Sequence, residues 1–389
     1  MTHFLGALVW KFAPPGAQLL LILVVARTGT LNDVGALAIA SAVSFFLGAL
    51  GEFGFSTTLS VPRVAFGRHT PPLRPTRAIR IAAAALASLL YGGFWLAGIG
   101  DHAASLLILC PLPFFLGLSY GYTGALNACG MLGVEAVVSI TESVAIVTLA
   151  LVFMRTLDAL ASAFLALTVA RGLGALARMI ATRRIPESPA PASPLRGVLR
   201  TQFRFAASTV VTVVQGQLDI VMIGFLGTLT LAALYGPLLR AAYSVLLIPE
   251  ALSWALYGDT ARSRIFGAGG RVGTRTFFVT LGLVTGIAFA ASAQPFMSLL
   301  LGRPIHGLLF AVFLFALVIP IRSLSSAFGI ELVRSGRQAK RIPIVTGAGV
   351  VLLAGAATSA VSGSITGLAA ARLASEIVIA LGYGAILRK

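Results

Sequence analysis

Ile81-Ala-Ala-Ala-Ala-Leu-Ala-Ser-Leu-Leu-Tyr-Gly-Gly-Phe-Trp-Leu-Ala-Gly-Ile99 carries no charge along its whole length. A helix needs about 20 apolar residues to cross the hydrocarbon core of a bilayer, and this run supplies them. A membrane strand would alternate apolar and polar side chains, and Ile81 to Leu86 do not alternate, so a β-barrel is excluded. Read outward, the chain offers twelve such spans, at 4–26, 34–60, 79–99, 104–127, 133–153, 159–180, 204–226, 231–256, 276–297, 305–332, 343–362 and 364–387. The fold predicted is an all-α integral membrane protein. Composition agrees: 58% of the 389 residues are hydrophobic and 11% charged, where a soluble domain carries about 25% charged residues.

The formal net charge of +17 raises the question of nucleic acid, which its distribution answers. Five cations lie at 63–80, six at 178–204, four at 262–275, four at 334–341 and two at the C-terminus, all in alternate loops. The opposite loops hold Arg27, Arg155 and Arg303 beside Asp33, Asp101 and Asp158. This positive-inside pattern predicts a multi-pass protein of the bacterial inner membrane with both termini cytosolic. A single-strand nucleic acid groove interleaves aromatics with a basic face, and no loop does so. The first apolar run lacks a charged leader and reaches spanning length, so it reads as a retained helix. Cys110 and Cys129 both fall at span four, about 28 Å apart along a helix, too far to bridge.

Near the midpoint, Ile185-Pro-Glu-Ser-Pro-Ala-Pro-Ala-Ser-Pro194 has linker composition. The expected organisation is a six-helix bundle at 1–180, a cytosolic linker at 181–203 and a second six-helix bundle at 204–389. A faint repeat supports it: Gly29-Thr-Leu and Glu52 recur 198 positions later as Gly227-Thr-Leu and Glu250. Both halves start on the same side, as in parallel-repeat transporters. Every extracytoplasmic loop is short, leaving no room for a catalytic domain, so the chain is not expected to be an enzyme.

Ionisable groups inside spans cost at least about 2.5–3.5 kcal/mol on insertion scales and face a partner or water. The cations are Lys11, Arg171, Arg240, Arg322 and Arg372; the acids are Glu52, Glu135, Glu142, Asp219, Glu250 and Glu376. Residues equidistant from a hairpin turn lie at similar depth, which predicts Lys11–Glu52, Asp219–Arg240 and Glu142–Arg171 pairs. Arg372 and Glu376 stand four apart on one helical face. Glu142–Arg171 and Arg372–Glu376 read as structural ion pairs. Lys11, Arg240 and Arg322 read as cavity cations for substrate, and Asp219, Glu52 and Glu250 as coupling or cavity acids. Each also has a plain reading as mutual neutralisation, with Arg322 meeting Glu376 or snorkelling. Pro320 beside Arg322, and Pro14-Pro15 in span one, predict broken or kinked helices. His3, His69, His102 and His306 are scattered, so no metal site emerges. No Gly-Lys-Ser/Thr phosphate loop is present, and no cofactor is expected.

Three stretches carry a resemblance. Gln217-Leu-Asp219-Ile-Val-Met-Ile-Gly224-Phe-Leu-Gly227 runs on to Ala233-Leu-Tyr235-Gly-Pro-Leu-Leu-Arg240-Ala. Val24-Val-Ala26-Arg27 through Asp33-Val-Gly35 leads to Leu50-Gly-Glu-Phe-Gly54-Phe-Ser, and Pro295-Phe-Met-Ser-Leu-Leu-Leu-Gly302 follows span nine. They resemble the polysaccharide transporter family, the Wzx-type O-antigen and exopolysaccharide flippases, grouped with the MATE exporters and lipid II flippases. The resemblance implies a V-shaped pair of six-helix bundles around a cationic cavity. It implies flipping of a polyprenyl-diphosphate-linked oligosaccharide from inner to outer leaflet for surface polysaccharide assembly. Asp219 falls on the family's span-seven aspartate and Arg240 on its basic span-eight position; Lys11 and Arg322 come from charge alone. Implied partners are the lipid-linked glycan, membrane lipids, and the polysaccharide polymerase and glycosyltransferases of the same pathway, with no nucleic acid. The chain departs from the family in its trimmed loops and modest serine and threonine content, and twelve spans disfavour the fourteen-span lipid II branch.

Two alternatives compete. A MATE-like, ion-coupled exporter of amphipathic small molecules would rely on Glu52, Asp219 and Glu250. A major-facilitator porter would carry a Gly-rich, Asp- and Arg-containing loop between spans two and three, and Val61-Pro-Arg-Val-Ala-Phe-Gly-Arg-His-Thr-Pro-Pro72 does not match it.

Overall fold

The computed structural model of the chain describes residues 2–60, 73–96, 107–185, 195–255, 270–302, 307–335 and 337–388. Among these, every regular element is helical. Twelve long helices are present: α1 (Thr2–Thr28), α2 (Leu31–Glu52), α4 (Leu73–Leu96), α5 (Leu112–Ala128), α6 (Leu132–Phe153), α7 (Ala159–Thr182), α8 (Leu195–Leu226), α9 (Leu229–Ala255), α10 (Gly270–Leu301), α11 (Leu309–Arg334), α12 (Arg341–Val361) and α13 (Ile365–Arg388). The six-residue α3 (Phe55–Ser60) sits between α2 and α4, and a 3-10 turn (Gln338–Lys340) leads into α12. Eight helices are individually long and apolar enough to cross a membrane. Among the described residues α5 falls short at 17 residues, and α8 contributes the shorter apolar stretch Val210–Leu226. Leu89, Val137, Val144, Ile287, Leu299 and Leu381 are exposed on these helices, as lipid-facing side chains must be.

Three expectations are corrected. The span at 34–60 is two helices, because Phe53 (φ 49°) and Gly54 (φ 74°) turn left-handed after Glu52. Glycine adopts that conformation freely, whereas a bulky aromatic there is strained. The Glu52 carboxylate accepts from the backbone N–H of Ser56 (2.9 Å) and from its hydroxyl, holding the start of α3. Second, the cysteines do not both lie on a helix: Cys110 precedes α5, and Cys129 is its exposed C-cap. Third, α1 is a single helix through Pro14 and Pro15; α11 likewise continues through Pro320. In α11 the proline meets glycine: a Cβ on Gly282 of α10 would stand 2.6 Å from Pro320 Cα, and one on Gly286 2.6 Å from Ala316 O. Small residues four apart let two membrane helices approach backbone to backbone.

The chain divides into two compact units, residues 1–39 with 218–389, and residues 40–217. In the first, α1 packs on α9 and α10, α10 on α11, and α13 on both α11 and α12. In the second, α5 is the hub, touching α3, α4, α6 and α7, while α6 and α7 form a hairpin. Gly117 of α5 receives the Gly51–Glu52 backbone, and a Cβ there would stand 3.0 Å from Gly51 C. Residues 186–194 of the expected linker lie outside the described residues.

Candidate functional site

Hydroxyls inside the helices mostly bond back one turn, as Ser323 to Ile319 O (2.8 Å) and Ser326 to Arg322 O (3.0 Å), and so are satisfied without a ligand. The charged groups are different, because a buried charge requires a partner. In the first unit they converge where α8, α9, α11 and α13 meet. Asp219 of α8 and Arg372 of α13 are both fully buried. Arg372 Nη2 lies 2.6 Å and Nε 3.0 Å from Asp219 Oδ2. The Tyr235 hydroxyl of α9 donates to the same oxygen, and the Ile220 N–H to Oδ1 (3.0 Å). Tyr235 is itself braced by Phe315 of α11, with ring centroids 5.7 Å apart.

One turn beyond these contacts, Arg322 Nη1 of α11 bonds Glu376 Oε1 of α13 at 2.8 Å. Its side chain is 18% exposed, whereas that of Glu376 is fully buried. The Tyr243 ring of α9 lies against both guanidinium groups, 6.0 Å from Arg322 Cζ and 5.8 Å from Arg372 Cζ. The buried Tyr243 hydroxyl has no hydrogen-bond partner. Arg240 stands three residues earlier, hence on the same face of α9. Both are partly exposed, while Tyr235, Leu238, Leu239, Ala242 and Leu246 of the same helix are buried. No ion pair to Arg240 is formed among the described residues.

The hairpin expectation for Asp219 is therefore corrected: its cation is Arg372, not Arg240. The Arg372–Glu376 expectation changes likewise, since Arg372 engages Asp219 while Glu376 engages Arg322. The cause is topological, because hairpin symmetry sees only consecutive helices and α13 reaches α8 from 153 positions away in sequence. Lys11 lies partly exposed on α1 in the first unit, and Glu52 belongs to the second, bonded to Ser56. Glu250 is in α9, with its side chain outside the described residues.

A second charge cluster lies within the second unit, between α6 and α7. Arg171 pairs with Glu142. Arg178, counted from sequence as a loop cation, instead reaches into the hairpin, with Nε and Nη2 on Glu135 (2.9 and 2.8 Å) and Nη1 on Glu142 Oε2 (2.6 Å). A signal was present. Glu135 and Arg178 are as symmetric about the 154–158 turn as Glu142 and Arg171, and both like-charged pairs are spaced by seven. Gly174 lies against the Glu142 carboxylate, where a Cβ would collide with it.

No protein-family model matches the sequence, and no curated protein matches it. Solved structures do. The chain is similar to the lipid II flippase MurJ in an inward closed conformation, with TM-score 0.75 and 12% identity over 99% of this chain and 87% of that one. It is similar to a multidrug resistance MATE family transporter in an inward-facing conformation, with TM-score 0.69 and 12% identity over 98% and 94%. A eukaryotic MATE transporter gives TM-score 0.65 and 18% identity over 100% and 94%. The chain thus has the all-helical fold of the MATE transporters and the lipid II flippase.

Proposed function

We propose that this chain is a flippase, moving a polyprenyl-diphosphate-linked oligosaccharide from the inner to the outer leaflet of the bacterial cytoplasmic membrane. The observation that carries this reading is the charge balance where α8, α9, α11 and α13 meet. Arg322 pairs with Glu376 and Arg372 with Asp219, while Arg240, three residues before Tyr243 on α9, has no ion pair among the described residues. A diphosphate supplies the missing negative charge. The planar guanidinium matches phosphate oxygens in a bidentate fashion, which a lysine does not. In this reading Arg240 and the partly exposed Arg322 take the diphosphate, and the unpartnered Tyr243 hydroxyl adds a neutral hydrogen bond. Asp219, itself held by the Tyr235 hydroxyl, fixes Arg372 beside the Tyr243 ring. The lipid tail stays in the bilayer. One protein of the same fold is itself named a lipid II flippase, which supports a lipid-carried substrate. The cytosolic termini and the partnership with polymerase and glycosyltransferases belong to the same proposal.

A second reading, an ion-coupled exporter of amphipathic small molecules, is favoured by Glu52, a buried carboxylate held by Ser56. Reconstituted vesicles separate the two. A fluorescent polyprenyl-diphosphate oligosaccharide should reach the outer leaflet in a protein-dependent way. A hydrogen bond to a charged group contributes about 1.5–3 kcal/mol, so Arg240→Ala should slow transfer roughly 10- to 100-fold. Wild-type rates in folded Arg240→Ala and Arg322→Ala would end the flippase reading. Uptake of ethidium instead, abolished by Glu52→Gln, would establish the exporter.

A further inference from the structure

The α12–α13 hairpin is electrically one-sided. From Leu332 to the C-terminus the sequence holds a single acid, Glu376, which is bonded to Arg322 inside the bundle. The turn joining the two helices, Ser362-Gly363-Ser364, is uncharged. At the opposite end, where α12 starts and α13 finishes, stand Arg337, Lys340, Arg341 and Arg388. Two contacts draw them together. Arg337 Nη1 donates to Ile386 O (3.0 Å), and Arg341 Nε donates to the Tyr383 hydroxyl (3.0 Å), its Cζ 5.3 Å from that ring's centroid. Tyr383 and Ile386 are three residues apart on one face of α13, so both guanidinium groups are held along its last turns, next to Arg388. None of the four cations pairs with a carboxylate among the described residues. The acid before them in sequence, Glu331, is taken by Arg275 at 2.7 Å. Helix dipoles leave part of this charge uncompensated. Arg337 and Arg388 serve the negative end of α13, but Lys340 and Arg341 stand at the positive end of α12, where a cation is disfavoured.

We infer that this end of the hairpin is a docking surface for an anionic membrane lipid, its phosphodiester headgroup held by Lys340, Arg341 and Arg388. Charge complementarity calls for an anion, and the surroundings select a lipid. With Nε on Tyr383 the Arg341 guanidinium is fixed in orientation, and its terminal edge, Nη1 and Nη2, is left to receive two phosphate oxygens as a fork. Lys340 and Arg388 are exposed on either side of the helix pair and add charge without a fixed geometry. Further along the hairpin the outward surface is apolar. Pro343, Gly347 and Val350 are exposed along one face of α12, and a Cβ on Gly347 would meet nothing within 4 Å. Leu381 of α13 is 69% exposed. An acyl chain can cover that surface while its headgroup meets the cations, whereas a free phosphate would leave it bare. Cations clustered at the end of a membrane helix attract anionic headgroups by the same electrostatics. The site makes no use of Arg240 or its neighbours and does not depend on the flippase reading.

The test uses the full-length protein, purified and delipidated in a neutral detergent. Phosphatidylglycerol, phosphatidylcholine with the same acyl chains, or inorganic phosphate is titrated in. Bound lipid is counted by native mass spectrometry while thermal unfolding is followed. Phosphatidylglycerol should remain bound and raise the unfolding temperature, and phosphatidylcholine should not. Each cation near a membrane surface is worth about fivefold in affinity for anionic lipid. Arg341→Gln should therefore weaken binding about fivefold, and Lys340→Gln/Arg341→Gln/Arg388→Gln roughly 100-fold. Lys340→Gln/Arg388→Gln keeps the Arg341–Tyr383 contact, should lose about 25-fold, and serves if the triple variant does not fold. Arg183 and Arg184 are also exposed, but they follow the negative end of α7, so Arg183→Gln/Arg184→Gln should change binding less than about twofold. An equal loss in that control would reduce the effect to overall charge and overturn the site. Wild-type retention in the triple variant, equal retention of phosphatidylcholine, or equal stabilisation by inorganic phosphate would overturn it too.

Discussion

The Asp219–Arg372 pair permits the sharpest energetic prediction. Both side chains are fully buried, and Arg372 sends Nε and Nη2 to one carboxylate oxygen. Asp219→Leu strands a guanidinium in a low-dielectric interior, and removing one partner of a buried pair costs about 3–5 kcal/mol. Arg372→Met is milder. It leaves Asp219 with the Tyr235 hydroxyl and the Ile220 N–H, so its cost falls in the range of about 1–3 kcal/mol for a disrupted buried hydrogen bond. The double variant Asp219→Leu/Arg372→Met removes both charges, and apolar replacement of a buried pair is often neutral. With a near-neutral double variant, those single costs make the coupling about 4–8 kcal/mol, above the usual range for residues in contact because each single variant strands a buried partner. Reversible unfolding in bicelles, followed by steric trapping, measures each corner. The companion cycle Asp219/Arg240 should be additive within about 0.5 kcal/mol, as for residues sharing no partner. Additivity at Asp219/Arg372 with coupling at Asp219/Arg240 would refute this geometry and restore the hairpin pairing.

Three further outcomes follow from packing and from the turn after α5. Gly282→Ala puts a methyl group against the Pro320 backbone, which cannot yield as a side-chain tip would, and should destabilise by about 1–3 kcal/mol in the same unfolding assay. Gly347→Ala in α12 has nothing within 4 Å and should gain up to about 1 kcal/mol from helix propensity. Cys129 tests topology: with Cys110→Ser removed as a competitor, a membrane-impermeant maleimide should label Cys129 from the cytosolic face and not from outside. Burial pushes its thiol up, and the thiolate is the reactive form, so labelling should still be accelerating above pH 8.

The twelve long helices were legible because each is a run of apolar residues, which depends on neighbours in sequence and on lipid, not on tertiary contacts. What escaped was set by contacts distant in sequence. The break after Glu52 rests on a left-handed Phe53, a residue type that gives no warning of that conformation. The close packing of α11 at Pro320 involves Gly282 and Gly286, on a different helix. Charge positions were readable, but partners were readable only across a single hairpin: Glu142 with Arg171 lies within reach of that rule, and Asp219 with Arg372 does not. Arg178 was misjudged for a further reason. Counting it as a cytosolic cation ignored that an arginine stem can carry its charge a full turn back into the bundle.

The two buried clusters also differ in what they leave over. Between α6 and α7, two glutamates and two arginines share one closed set of ion pairs, with Arg178 bridging both carboxylates. That arrangement is neutral, joins two helices whose other faces carry exposed Val137, Val144, Leu173 and Leu176, and offers a ligand no net charge. Its value is to fix the register of a hairpin that apolar packing against lipid cannot specify, since lipid tails are as apolar as the side chains. The α8, α9, α11 and α13 cluster fixes register as well, through Asp219 and Arg372, yet it retains an unpaired Arg240 and an unpartnered Tyr243 hydroxyl on one face of α9. Both clusters leave a buried polar atom without a hydrogen bond, Arg171 Nε in the first and the Tyr243 hydroxyl beside the second. A guanidinium without a carboxylate inside a membrane span is unfavourable unless water or an anion offsets its charge, which makes Arg240 the first residue to vary in a test of the proposed function.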